Sequence, residues 1–151
     1  MNADRDIAPR MAELLDRQAA ALEKLLDCLA REREALQLRD AAALELASRE
    51  KEQAVGRVSE LETKRLALAP DLPAMEQLAA RAQVGARWER FLELTRRCRE
   101  QNEANGRMIR RQQGRVSAAL RLLRGEAGAG QVYGPDGATG SHRPRPPIAS
   151  V

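Results

Sequence analysis

The sequence predicts an all-α fold: a long antiparallel helical hairpin plus a long third helix in a coiled-coil-like bundle, with a flexible C-terminal tail. Three observations predict it. Hydrophobic residues, mostly Leu and Ala, make up 43% of the 151 residues and aromatics only 2%, which suits narrow helical seams rather than a mixed sheet. Val, Ile and Thr are sparse and scattered, so no segment reads as a strand. Apolar positions recur at spacings of three and four over long stretches, the repeat that keeps one stripe facing a partner helix.

The first helix is expected over about residues 7–36. Leu15, Gln18, Leu22, Leu25, Leu29, Glu32 and Leu36 form its stripe, widened by Leu14 and Leu26. Gln18 and Glu32 interrupt it with polar groups, either fixing register or lying at a splayed edge. Asp40 is a plausible N-cap, because its carboxylate can accept from the open N–H groups of a new helix. A second run follows with Leu44, Ala47, Ala54, Val58 and Leu61, and with Val55 and Leu66 beside it. A short turn near Asp40 makes a hairpin. The alternative is one unbroken helix of about 60 residues, ~90 Å long. No Gly marks the turn.

Pro70 and Pro73 make a firmer break, since each pushes its preceding residue out of the helical region. Asp71 suits a cap for a helix beginning near Pro73. Residues 74–84 read either as a short helix or as an irregular approach to Gly85. The later helix follows Trp88, Phe91, Thr95, Cys98, Asn102, Asn105, Ile109, Gln112, Val116, Ala119 and Leu123, with Leu92, Leu94 and Leu120 flanking that line. Its centre is polar, and a seam Asn fixes register at some cost in stability. The helical domain is expected over 1–124. Residues 125–151, rich in Gly and Pro, form the tail.

Charge is unevenly placed. Residues 1–74 carry 12 Lys/Arg against 15 Asp/Glu, and residues 85–124 carry 11 Arg, no Lys and 4 Glu. Pairing between the two halves accounts for this more simply than a nucleic-acid surface, and the basic stretch lacks aromatics beyond Phe91 for stacking on bases. No catalytic residue, metal ligand set or cofactor site is expected. His142, the only His, sits in the tail, and Cys28 and Cys98 fit no ligand spacing and read as buried free thiols. The N-terminus lacks a signal-peptide pattern and no run is long enough to span a bilayer, so a cytoplasmic protein without membrane insertion is expected. Tyr133, the only Tyr, lies where no core is expected. It either offers contact area to a partner or folds back on its own helices.

Several of these residues carry a resemblance. Trp88, Cys98, Asn102-Glu103-Ala104-Asn105-Gly106, Ile109 and Ala119-Leu120, then Tyr133-Gly134-Pro135-Asp136-Gly137, stand in an order that resembles the FlgN family of flagellar type III export chaperones. Leu25-Leu26, Glu32, Leu36, Asp40, Leu44, Lys51 and Leu61 are similar to its first half. At Arg143–Pro147 the chain is richer in Pro than the family pattern. The resemblance implies binding to the C-terminal segments of the hook-associated proteins FlgK and FlgL. It implies that Tyr133, with Gly134, Asp136 and Gly137, docks on the export-gate protein FlhA. A cargo helix lying between the long helices would meet Leu92, Asn102, Asn105, Ile109, Val116, Leu120 and Leu123, although such side chains serve equally well as a core. The alternative is a homo-oligomeric coiled-coil scaffold, a homodimer being its simplest form.

Overall fold

The computed structural model describes residues 3–81 and 83–125, with side chains from residue 7 onward. These form four helices and no strand: α1 (Ala3–Leu38), α2 (Ala41–Leu68), α3 (Leu72–Ala79) and α4 (Gly85–Leu123). The all-α expectation holds, with a hairpin rather than one unbroken helix, and residues 74–84 contribute most of α3. Two compact units divide the chain within α4, Met1–Met108 and Ile109–Val151, upstream of the change in composition at Gly125.

The hairpin turn takes two residues. The Arg39 N–H donates to the Leu36 carbonyl at 3.4 Å and the Asp40 N–H to the Ala35 carbonyl at 3.0 Å. This 5→2 and 6→1 pair closes a helix with its C′ residue left-handed. That residue is Arg39, at φ 53, and not the usual glycine. Asp40 at once caps α2, its Oδ1 accepting from the Ala43 N–H at 3.0 Å. One residue therefore ends α1 and the next begins α2. At the second break Asp71 accepts from the Ala74 N–H at 2.8 Å, with Pro73 in the first turn of α3. Gly85 opens α4 where a Cβ would lie 2.6 Å from the Ala79 carbonyl oxygen, so only glycine fits without a backbone shift.

The predicted α1 stripe is the core of the first unit. Leu15, Gln18, Leu22, Leu25, Leu29, Glu32 and Leu36 are all buried. Facing them, α2 presents the small side chains of Ala47 and Ala54 with Leu61, which lets the two helices approach closely. Met75 of α3, Val84, and Phe91, Leu94 and Cys98 of α4 complete the same cluster. Burying each Leu contributes ~1.5–3 kcal/mol. Val55 and Leu66, expected beside the α2 stripe, lie exposed on its outer side.

The α4 seam differs from the predicted line by one residue at alternate steps. Phe91, Leu94, Cys98 and Asn105 are buried and Gln101 half-buried, whereas Asn102 is exposed. Both lines step by three and four and share Phe91, Cys98 and Asn105. They part on which neighbour fills the intervening step. Leu94 brings more apolar surface than Thr95, whose hydroxyl instead donates to the Phe91 carbonyl at 2.8 Å.

Candidate partner-binding surfaces

Two polar junctions tie α4 to the hairpin within the first unit. At the first, Gln18 Nε2 donates to Glu62 Oε2 at 2.9 Å, and Arg65 Nε donates to the same oxygen at 3.0 Å. The Arg65 guanidinium lies 5.1 Å from the Trp88 ring centroid and 5.6 Å from that of Phe91. Those rings stack 5.2 Å apart. A chain of contacts thus runs from α1 through α2 to α4, ending in a cation over an aromatic face. The hydrogen bond from Arg65 holds the Glu62 carboxyl below the usual glutamate range.

At the second junction Glu32 of α1 is 1% exposed. Its Oε2 accepts from Lys51 Nζ of α2 at 2.6 Å and its Oε1 from Asn105 Nδ2 of α4 at 2.9 Å. Asn105 Nδ2 also donates to the Leu29 carbonyl at 2.9 Å. A buried carboxylate is tolerable only when paired and hydrogen-bonded, and here both conditions are met by different helices. The polar interruptions of the α1 stripe are therefore three-helix contacts and not a splayed edge. Sequence reasoning missed Lys51 and Arg65 as structural residues. The signal was present: both continue the α2 run Ala47, Ala54, Val58 and Leu61 at steps of three and four.

Outside these junctions, ion pairs join acidic α1 to basic α4. Arg87 Nε lies 3.0 Å from Asp16 Oδ1, and Arg90 pairs with Glu23. Each is solvent-exposed and stabilises by no more than ~1 kcal/mol. They explain part of the charge asymmetry without invoking a nucleic acid.

The residues expected to meet a cargo separate into three groups. Asn105 is 1% exposed, and its amide nitrogen is taken up by the Leu29 carbonyl and Glu32 in the buried junction. Leu92 and Asn102 are exposed within the first unit, and Ile109 is half-buried. Val116, Leu120 and Leu123 are 59%, 45% and 83% exposed and, spaced by four and three, form an open apolar stripe on the second unit. Four arginines and no acidic residue fall between Ile109 and Leu123. This is a basic amphipathic segment of the kind that lies against another helix.

Tyr133, Gly134, Asp136 and Gly137 lie outside the described residues, as does His142. Among the described residues no group of three or more His, Cys, Asp or Glu is placed to hold a metal ion. Cys28 and Cys98 are free and buried, and burial pushes the Cys98 thiol up. No described helix is long and apolar enough to cross a membrane. Among the described residues the geometry offers apolar surface, charge and buried registration between helices.

Residues 1–141 match the model of the family described as FlgN protein. No curated protein and no solved structure matches the chain.

Proposed function

The chain belongs to the FlgN family of flagellar export chaperones, and from that membership we propose that it acts in the cytoplasm on the C-terminal segments of FlgK and FlgL. The family match carries this reading, since it spans both the helices and the Tyr133–Gly137 motif. In this scheme the second unit's stripe of Val116, Leu120 and Leu123, with Ile109, takes an amphipathic cargo segment and keeps it from assembling early, and Leu92 and Asn102 are separate cargo contacts on the first unit. The hairpin and its two polar junctions hold the first part of α4 in register. Tyr133, Gly134, Asp136 and Gly137, in the tail segment 125–151, engage FlhA at the export gate. Release requires no chemistry; a second partner that alters relative affinities is enough.

Co-purification tests the cargo half: FlgK and FlgL, or their last helical segments, should be retained by the full chain. Retention of neither removes the support for it. Tyr133→Ala should leave cargo retention intact and weaken capture of FlhA. Equal loss of both contradicts two separate sites. Leu120→Asp should weaken cargo capture by about tenfold or more, as for loss of a buried anchor.

A further inference from the structure

The geometry points to a second surface: a notch at the tip of the hairpin that takes the Val116–Leu123 stripe of a second copy of this chain. The notch encloses about 300 Å³ between the end of α1 and the start of α2. Leu38 and Leu46 border it and are 71% and 58% exposed. Two large leucines this open, lining one notch with Ala35, Ala43 and Ala47, are a poor arrangement for a surface with nothing to cover it. The rim carries Glu34, Asp40 and Glu50 against a single Arg31, which pairs with Glu50. The notch is therefore apolar inside and acidic at its edge.

The complementary surface lies on the same chain. The segment from Ile109 to Leu123 is basic, without one acidic residue, and Val116, Leu120 and Leu123 sit exposed at i, i+4 and i+7, with Leu122 exposed beside them. That spacing covers ~10 Å of helix and suits anchors for a short groove. Apolar anchors meet an apolar floor, and arginines meet an acidic rim. Notch and stripe are different patches, so the contact is head to tail and not self-complementary. A notch of this size supports only a small interface, so the association is weak and reversible. It gives the stripe a cover when no other helix occupies it.

Sedimentation velocity on the full chain, with no cargo present, tests this independently of the chaperone reading. The wild type should associate with rising concentration. Raising salt from about 50 mM to about 500 mM should weaken that association by roughly tenfold or more, because the pairing charges are exposed. A notch variant, Leu38→Asp/Leu46→Asp, and a stripe variant, Val116→Asp/Leu120→Asp, should each remain monomeric. All four positions are exposed, so both variants should keep the wild-type helical circular dichroism. Mixed together they should form a one-to-one dimer, because one intact notch then meets one intact stripe. A wild type that stays monomeric throughout, a notch variant that associates like wild type, or a mixture that stays monomeric would each overturn the proposal.

Discussion

Replacing Lys51 by Met leaves the Glu32 carboxylate buried without its cation. The side chain of Glu32 is 1% exposed and that of Lys51 25%, with 2.6 Å between the charged atoms. Removing one partner of a buried pair costs ~3–5 kcal/mol. Two features of the site lower that figure. Asn105 Nδ2 still donates to Glu32, and the partial exposure of Lys51 lets water reach the vacated space. A loss of ~2–3 kcal/mol is expected, which at ~1–2 kcal/mol per molar urea moves the unfolding midpoint by ~1–3 M. The exposed pair Glu13–Arg17 provides the contrast, and Arg17→Met should change stability by less than ~0.5 kcal/mol. The double variant Glu32→Leu/Lys51→Met removes both charges together. It should return to within ~1 kcal/mol of wild type, since Asn105 Nδ2 keeps the Leu29 carbonyl. Urea titration followed by circular dichroism measures all three. If Lys51→Met unfolds with wild type, or the double variant is no more stable than the single, the carboxylate is not held as an uncompensated charge and the reasoning fails.

Arg39→Gly should stabilise the chain by ~0.5–1 kcal/mol in the same titration, because the left-handed φ of 53 strains any residue with a Cβ. Gly85→Ala should destabilise by ~1–3 kcal/mol, since the added methyl meets the Ala79 carbonyl oxygen and the start of α4 must shift. Glu62 is depressed in the folded state, so its contribution is present above the ordinary glutamate value near 4.5 and is lost as pH falls through the lower folded value. Acid titration of Glu62→Gln should show a shallower loss of stability below pH 4.5 than wild type, and identical slopes would dissociate Glu62 from the acid transition.

Much of the fold was legible because it is fixed by interactions close in sequence. The α1 stripe from Leu15 to Leu36 follows from periodicity alone, and every member is buried. Asp40 and Asp71 cap the helices that their own side chains can reach, three residues on. Pro70 follows directly on the end of α2, and Pro73 sits in the first turn of α3, where its missing N–H costs nothing. The hairpin turn was harder, since Arg39 carries a left-handed conformation that nothing about arginine advertises.

What the sequence could not decide were choices between near-equivalent neighbours. Asn102 and Asn105 both satisfy a spacing of three and four, yet only Asn105 faces the Leu29 carbonyl and Glu32 across a separation of more than seventy residues. Lys51 and Arg65 continue the α2 run in spacing, but whether their charges are sealed or solvated depends on Glu32, Glu62 and the Trp88 ring being brought beside them. Local chemistry determined where helices begin, end and show their apolar side. Which polar groups are sealed inside, and which leucines are left open at 38, 46 and 116–123, was settled only when distant segments met, because desolvation depends on what covers a side chain and not on its position in the chain.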